Sequence, residues 1–414
     1  MRILYFHQYF KTPEASGSTR SYEMAKYFVD QGHNVTMVFV QTEKNKKHSP
    51  LKGEFIKGER RGSVDGIDLI EFNLTYSNNL NFLRRSMLFI SYAFRSIKLI
   101  RTEKYDLLFS SSTPLTAGIP GIIMKMVNIK KPFVFEVRDL WPELPREMGV
   151  IKNKFILWLM GVLESLSYNK ADACIALSPG IEKGIRKKMK KDKPIFLIPN
   201  GSDLELFKPG YEPKTVFPGL NDDDFVAIFT GAHGLANGLD AALDAAQVLK
   251  DSGYQDKIKF VFIGGGGLKE KLVKRAKDNQ LSNCIFIDFV TKKELEKYLH
   301  AADIGLMLLA NVPAFYYGTS PNKFFDYISI GLPVLNNYPG WLADMINENH
   351  CGVAIPPENP EAFANALIDL SEKKHDLPQM RLNSRSLAER EFGRHKLAKE
   401  WHDAVLKVYN SYQK

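Results

Sequence analysis

The chain has 414 residues but only three cysteines, Cys174, Cys284 and Cys351, and their spacing fits neither a metal site nor a disulfide framework. The nine histidines show no metal-ligand spacing either. A run of about 18 apolar residues, the length that spans a bilayer, is missing. Residues 1–6 enter a strand pattern directly, without the charged and apolar regions of a signal peptide. We therefore expect a cytoplasmic protein with free thiols and no metal.

Two familiar phosphate-binding patterns are incomplete. Residues 263–267 read Ile-Gly-Gly-Gly-Gly between a strand and a helix, but Lys269 replaces the last glycine of G-x-G-x-x-G. No Gly-Lys-Ser/Thr follows, so a Walker loop is excluded. These glycines, Gly265 among them, either give the backbone room beside a nucleotide or only form a turn. The D-x-D spacing in residues 222–224 precedes a strand, and we expect a solvated turn there.

Composition and charge describe a globular protein with a basic first half. Hydrophobic residues make up 44% and charged residues 25%, and the length favours two domains. Through residue 200 there are 32 Lys and Arg against 19 Asp and Glu, leaving 24 against 28 in the remainder. The basic half could face anionic lipid, nucleic acid or an anionic substrate. No nucleic-acid-binding module is present, which disfavours the second.

Strands and helices alternate along the chain in two series of about 200 residues each, and this pattern predicts an α/β protein with two doubly wound sheets. We expect an N-terminal domain over residues 1–203, a C-terminal domain over 204–385, and a last helix in 386–414 that packs back towards the N-terminal domain. Ligands are expected at the carboxyl ends of both sheets and in the cleft between the domains.

Residues 320–334 have the composition of a small binding site at a helix start. Ser320 and Pro321 are typical of a helix start, a side-chain cap followed by a proline. Asn322 and Lys323 then lie in the first turn, where free amides and the helix dipole favour an anion. Asp326 lies one turn further on the same face, and Gly331 is expected to end the helix. A cation, free amides and a carboxylate at one helix start suit a nucleotide.

Together with residues 198–207 (Ile-Pro-Asn-Gly-Ser-Asp-Leu-Glu-Leu-Phe), this stretch resembles the signature of GT-B glycosyltransferase family 4. The resemblance covers essentially the whole chain. It implies two Rossmann-like domains facing across a cleft, with a nucleotide-sugar bound by the C-terminal domain and the acceptor by the N-terminal one. It also implies retention of anomeric configuration, no metal and no cofactor besides the donor.

The chain departs from the family at the sugar end of the site. Relatives often carry two glutamates with seven residues between them; here Asp326 stands at the second position, where the resemblance implies a contact with the ribose, and Gly318 at the first. Thr319, Ser320 or backbone amides would then contact the donor sugar.

The glycine loop of residues 230–239 is a second departure. Gly231 and Gly234 let the backbone approach a diphosphate, but His233 and Asn237 stand where many relatives have Arg and Lys. Lys323 would then be the chief cation. His233 is either a turn residue or a donor to phosphate or sugar. By resemblance, Val290 offers backbone groups to the base.

In the N-terminal half, the resemblance places the first loop, with Gly17, against the donor phosphates or the acceptor. Arg138 and Asp139 follow a buried strand, at the edge where ligands bind. They are either a structural ion pair or functional, with Asp139 orienting or deprotonating the acceptor and Arg138 holding it or the departing phosphate. His7, just past the first strand, is either structural or reaches the cleft.

Residues 80–101 combine aromatic and aliphatic side chains with arginines and lysines, and residues 183–193 hold seven cations. This pattern is typical of an interfacial helix on anionic lipid; the alternative is an ordinary helix with charged tips. An interfacial helix would suit a polyprenyl-diphosphate-linked saccharide as acceptor.

The predicted function is transfer of a sugar from a UDP-sugar to a lipid-linked saccharide at the membrane. The chain most resembles the bacterial O-antigen and capsule subgroup. Residues 138–142 (Arg-Asp-Leu-Trp-Pro) look like those of N-acetyl-L-fucosamine transferases, which makes that sugar the expected one. Two alternatives stay open: a GT-B nucleotide-sugar 2-epimerase, and a non-catalytic membrane-associated scaffold subunit.

Overall fold

The computed structural model describes residues 1–15, 17–43, 49–77, 80–127 and 129–413. It divides into two compact units. Unit 1 comprises Met1–Pro199, Gly318–Ser320 and His395–Lys414, and unit 2 comprises Asn200–Tyr317 and Pro321–Arg394. Each unit holds a sheet of mainly parallel strands with helices packed on it, so the predicted α/β fold class is confirmed.

The described strands are β1 (Arg2–Phe6), β2 (Asn34–Thr42), β3 (Glu59–Val64), β4 (Ile67–Tyr76), β5 (Leu107–Ser111), β6 (Phe133–Val137), β7 (Ala173–Ala176), β8 (Ile195–Leu197), β9 (Phe225–Thr230), β10 (Ile258–Ile263), β11 (Cys284–Ile287), β12 (Ile304–Met307), β13 (Val334–Asn336) and β14 (Gly352–Ala354).

The described α-helices are α1 (Arg20–Asp30), α2 (Phe82–Thr102), α3 (Ile119–Met126), α4 (Glu143–Glu147), α5 (Lys154–Lys170), α6 (Pro179–Lys188), α7 (Asp240–Asp251), α8 (Lys269–Asp278), α9 (Lys292–His300), α10 (Pro313–Gly318), α11 (Asn322–Ser329), α12 (Trp341–Glu348), α13 (Pro360–Glu372), α14 (Leu377–Leu387) and α15 (Arg394–Ser411). None of the helices in this part of the chain is long and apolar enough to cross a bilayer.

The sheet of unit 1 has the strand order β3-β4-β2-β1-β5-β6-β7-β8 in its described residues, and only the β3–β4 pair is antiparallel. Successive side chains of a strand point to opposite faces, so Tyr5 enters one core and Leu4 the other. The Tyr5 core is closed by α1 and by α15, whose Trp401 is fully buried. Helices α2, α3, α5 and α6 cover the opposite face.

In unit 2 the described strands form a parallel sheet with the order β11-β10-β9-β12-β13-β14. The central strand β9 is buried along its whole length, as expected for a parallel sheet covered on both faces. The loops that follow β9, β10 and β11 leave the same edge of this sheet, because the strands are parallel. The predicted donor residues in those loops are therefore gathered at one edge of unit 2.

Candidate functional site

Helix α11 begins one residue later than the sequence predicted. Pro321 occupies the N-cap position and the helix starts at Asn322, with no side-chain hydrogen bond capping it. The sequence predicted the N-cap position at Ser320, whereas the structure has Pro321 there. The predicted end is confirmed: Gly331 has a φ of +78°, and Leu332 N–H donates to the Tyr327 carbonyl at 2.9 Å, a Schellman closure.

Lys323 extends from the first turn of α11 to the glycine loop after β9. Its Nζ donates to Oδ1 of Asn237 at 2.6 Å and lies 4.2 Å from the ring centroid of Phe229. A Cβ atom on Gly231 would lie 3.5 Å from Cε of Lys323. Burial lowers the pKa of Lys323 to about 7, because a desolvated ammonium loses hydration energy. Asn237 offers an oxygen but no negative charge, so this contact leaves the ammonium charge uncompensated.

The two glycine-rich loops of unit 2 pack directly against each other. Gly264 has a φ of +144°, and a Cβ there would lie 1.9 Å from the carbonyl oxygen of Gly231. The backbone N–H of His233 donates to the Gly265 carbonyl at 3.1 Å. A Cβ on Gly266 would lie 2.4 Å from the His233 carbonyl oxygen. Close backbone approach therefore explains Gly264 and Gly266. Gly265 and Gly234 have open space where a Cβ would be.

The His233 side chain is fully buried between the rings of Phe229, Phe262 and Phe286. Burial, together with the charges of Lys269 and Lys323, lowers the pKa of His233 to about 4, so the ring is neutral at physiological pH. Neither ring nitrogen has a hydrogen-bond partner among the described residues. The aromatic packing favours a structural role, whereas two unpaired buried nitrogens are atoms that a ligand could satisfy.

Asp326 lies on α11 beyond Lys323 and is nearly buried. Its Oδ1 is 3.3 Å from Nζ of Lys292, the first residue of α9. Lys292 was not predicted from the sequence, since no local pattern connects it with a residue 34 positions away. Val290 is half-buried just before Thr291, the cap of α9. Gly318 ends α10, where a Cβ would meet open space, and Thr319 and Ser320 follow it half-buried.

In unit 1, side chains after β1 and β6 meet on the same edge of the sheet. Nε2 of His7 lies 3.2 Å from Nη1 of Arg138, and Nδ1 of His7 lies 2.7 Å from Oγ of Ser21. The backbone N–H of Arg138 donates to the Ser112 hydroxyl at 3.0 Å. Burial and then the charges of Arg138, Lys11 and Arg20 hold the pKa of His7 well below its ordinary value. A neutral imidazole thus supports the guanidinium.

Arg138 and Asp139 do not form the ion pair that the sequence left open. Oδ2 of Asp139 accepts a hydrogen bond from Oγ1 of Thr113 at 2.9 Å instead. Burial raises the pKa of Asp139, although the Thr113 hydroxyl and the Arg138 charge act in the opposite direction. A carboxylate with a raised pKa at the ligand edge of a sheet is suited to accept a proton.

Near these residues lies a buried ion pair that was not predicted from the sequence. Nη2 of Arg20 is 2.8 Å from Oε2 of Glu136, and Arg20 also donates to the carbonyls of Ile198 and Pro199. Burial alone would raise the pKa of Glu136, but the charges of Arg20 and Arg138 and a hydrogen bond from Ser111 hold it below its ordinary value. A glutamate inside the apolar strand Phe133–Val137 was the available signal, because a buried charge needs a partner.

Gly17 lies in the loop between β1 and α1 with a φ of +113°, a conformation that favours glycine. A Cβ there would lie 2.7 Å from Nζ of Lys11. The loop therefore presents backbone and a lysine together. Its neighbour Ser16 lies outside the described residues.

Within the described residues, no group of three or more His, Cys, Asp or Glu side chains could hold a metal ion. The D-x-D segment has structural contacts: Asp222 Oδ1 accepts from Lys214 N–H and Asp224 Oδ2 from Asn221 N–H, each at 2.7 Å.

Comparison with known families accounts for both units. Residues 17–206 match the family described as Glycosyltransferase Family 4, and residues 212–387 match Glycosyl transferases group 1. The chain thus combines a family 4-type and a group 1 glycosyltransferase domain, and it is a glycosyltransferase of the GT-B fold.

Relatives include the probable glycosyltransferase WbjE of Pseudomonas aeruginosa, 26% identical over 73% of this chain and 75% of that protein. The O-antigen chain mannosyltransferase C of Escherichia coli is 22% identical over 63% of this chain and 67% of that protein. Among solved structures, a sucrose-phosphate synthase from Thermosynechococcus elongatus aligns with a TM-score of 0.77 at 16% identity, covering 99% of both chains. Anabaena Alr3699/HepE, in complex with UDP and glucose, aligns with a TM-score of 0.70 at 15% identity over 97% of this chain and 98% of that one.

Proposed function

We propose that this glycosyltransferase moves a sugar, with retention of configuration and without a metal, from a UDP-sugar to a lipid-linked saccharide of a bacterial surface polysaccharide. The donor assignment rests on Nζ of Lys323, at the start of α11. This ammonium lies beside Gly231 and donates to the uncharged side-chain amide of Asn237. A cation beside the backbone amides of a helix start is suited to a diphosphate.

The reaction separates charge, and the donor site would have to stabilise it. As the bond from the sugar C1 to the diphosphate breaks, negative charge develops on the diphosphate and the sugar becomes oxocarbenium-like. Lys323 and the first amides of α11 would stabilise that negative charge, which is usually the largest catalytic term. Further proposed donor contacts are the ribose with Asp326, the base with Val290, the phosphates with Gly17, Gly231, His233, Gly234, Gly265 and Asn322, and the sugar with Thr319 and Ser320.

The acceptor hydroxyl would attack C1 on the face that the diphosphate leaves, forming the new glycosidic bond. In this proposal Asp139 orients the hydroxyl and accepts its proton, which its raised pKa favours. Arg138, fixed by His7, would hold an anionic group of the substrate. The name of the Escherichia coli relative, an O-antigen chain mannosyltransferase, supports a saccharide acceptor. We expect the saccharide to be linked to a polyprenyl diphosphate.

A polyprenyl-linked acceptor determines where in the cell the enzyme works. A polyprenyl chain keeps the saccharide in the bilayer, so we propose that the enzyme works as a peripheral protein at the cytoplasmic face of the plasma membrane. The basic residues of unit 1, including those of α2, support contact with anionic lipid.

The donor is proposed to be UDP-linked N-acetyl-L-fucosamine, on the resemblance of residues 138–142. A panel of UDP-sugars tests this choice: release of UDP should be fastest with that sugar. A different preferred sugar would overturn the sugar assignment and leave the transfer reaction standing.

The reaction is tested by UDP release with and without a lipid extract that contains polyprenyl-linked saccharides, in the presence of EDTA. Lipid-dependent release that survives EDTA is expected. Conversion of the free UDP-sugar without any acceptor would identify an epimerase, and calorimetry that detects no UDP binding would leave a scaffold. Lys323→Ala should abolish release, whereas the exposed Lys271→Ala on α8 is the matched control.

A further inference from the structure

The outer face of α5 is unusually apolar for a surface helix. Its large exposed side chains recur at the spacing of one helical face and are between 38% and 64% exposed: Phe155, Trp158, Leu159, Val162 and Leu166. The helix begins at a defined point, since Oδ1 of Asn153 accepts from the N–H groups of Phe155 and Ile156. This face is therefore part of a folded helix, not of a frayed end.

Helix α2 has a matching outer face. Its large exposed side chains are between 48% and 69% exposed and lie on one stripe: Leu83, Met87, Ile90 and Phe94. The opposite side of α2 enters the same core as α5, with Tyr92 and Leu99 from α2 and Tyr168 from α5. Helix α3 packs against both, and its last residue, Met126, is also exposed. Both stripes consequently look away from the same face of the unit 1 sheet, and we call them the two-helix face.

The charges around the two-helix face are mainly positive. Helix α2 contains no acidic residue, and the only one in α5, Glu164, is buried and paired with Lys188. Helix α6 packs against α5 and exposes Lys183 and Lys187, together with Arg186, which pairs with Glu182 and Asp192. Helix α2 adds its own exposed cations, Arg84, Lys98 and Arg101. An apolar surface with a basic rim is complementary to lipid with anionic headgroups.

We propose that the two-helix face docks on an anionic bilayer, with α2 and α5 lying in the plane of the interface. The inference rests on the proposed function and deepens it by assigning the membrane contact to named side chains. Without a partner, nine large apolar side chains on two helices that both pack on α3 would face water, and exposed apolar patches of this kind mark interaction sites. A protein partner with an apolar patch would not require the basic rim, whereas anionic lipid does.

The test is binding of the full chain to vesicles of phosphatidylcholine with and without phosphatidylglycerol. Binding should require the anionic lipid and weaken as salt is added. The double variant Phe155→Glu/Trp158→Glu should bind at least about tenfold more weakly, because two apolar anchors become charged. Leu382→Glu, an equally exposed leucine on α14 of unit 2, should bind like the unchanged protein.

Charge and depth are tested separately. Lys183→Glu/Lys187→Glu should reduce binding about tenfold, and the matched pair Lys271→Glu/Lys277→Glu on α8 should not. Tryptophan fluorescence should shift to shorter wavelength on binding and be quenched by brominated lipid, and Trp158→Phe should remove most of both effects. Unchanged fluorescence, or equal binding to neutral vesicles, would overturn the proposal.

A second copy of the chain is the main competing occupant. It predicts a dimer in solution that Phe155→Glu/Trp158→Glu converts to a monomer, and that result would also overturn lipid docking. UDP affinity separates the two hypotheses: a protein that binds UDP but no vesicle refutes only the docking face, whereas one that binds vesicles but no UDP refutes the proposed transfer.

Discussion

Nε2 of His7 lies 3.2 Å from Nη1 of Arg138, although the two residues follow strands β1 and β6, which are separated by β5 in the sheet. A guanidinium can only donate, so Nε2 is the acceptor and the proton resides on Nδ1, which donates to Ser21 Oγ. The tautomer of His7 is thus set by its two partners. His7 is a positioning residue for Arg138.

Replacing His7 should therefore act through Arg138. His7→Ala removes the acceptor, and we expect turnover to fall about tenfold or more because a misplaced group loses its alignment. The KM for the UDP-sugar should change little. His7→Gln, whose amide can accept and donate, should recover part of the turnover. Equal losses in the two variants, or a loss explained by a lower unfolding free energy, would argue for a purely structural role.

Binding of UDP should depend on the protonation of Lys323. Its pKa is lowered to about 7 by burial, and only the charged form attracts a diphosphate. UDP affinity should therefore fall as the pH rises from about 7 to about 9, with proton uptake on binding. Calorimetry in buffers of different ionisation enthalpy measures both quantities. Lys323→Arg should bind UDP with a flat pH profile; a Lys323→Arg profile as steep as that of the unchanged protein would contradict this assignment.

The contact between Lys292 and Asp326 predicts how the ribose is recognised. A ribose bound to Asp326 would make UDP bind more tightly than its 2′,3′-dideoxy analogue. Asp326→Ala should weaken UDP by roughly tenfold, the effect of losing a charged hydrogen bond, and should erase the difference between the two ligands. Lys292→Met should keep some discrimination, since the carboxylate remains. If the ratio of the two affinities, for UDP and for its dideoxy analogue, is unchanged in Asp326→Ala, the ribose binds elsewhere.

His233 should make the protein less stable in mild acid. Its folded pKa of about 4 is below the ordinary value of about 6.5, so the unfolded chain takes up the proton first. The contribution of His233 to the free energy of unfolding is fully present above about pH 6.5. It decreases by about 3 kcal/mol as the pH falls to about 4. Urea unfolding of His233→Phe should show a correspondingly shallower pH dependence.

The same variant tests the donor role of His233. Phenylalanine keeps the aromatic packing but lacks ring nitrogens, so weaker UDP binding at pH 7 would support a contact with phosphate. Unchanged binding would leave His233 with packing alone.

Gly318 and Gly264 should respond in opposite ways to a side chain. A Cβ at Gly318 meets open space, whereas one at Gly264 would lie 1.9 Å from the Gly231 carbonyl oxygen. Gly318→Ala should leave the unfolding free energy within about 0.5 kcal/mol, but Gly264→Ala should lower it by more than about 1 kcal/mol. Gly318→Glu restores the carboxylate of the family pattern, and its donor preference would show whether that group fits this site. Marked destabilisation by Gly318→Ala would contradict the finding that a side chain at this position meets open space.

Local patterns predicted the regular structure well. The alternation of strand and helix patterns indicated the two α/β series, residues 80–101 indicated α2, and Gly331 predicted the end of α11, because these features depend on neighbours in sequence. The N-cap position of α11 is Pro321, one residue later than the sequence predicted. The partners of Arg138 and Asp139 could not be predicted, because they come from strands far away in the chain.

The sequence by itself determined two α/β units, a glycine loop, and a lysine at a helix start, since periodicity, turn residues and helix chemistry are local. The tertiary structure alone decided that Lys323 meets Asn237, that Asp326 meets Lys292, and that His233 turns into an aromatic core. It also decided that α2 and α5 expose their apolar stripes on one face of a sheet. These relationships depend on strand order and packing, which bring together residues that no sequence spacing connects.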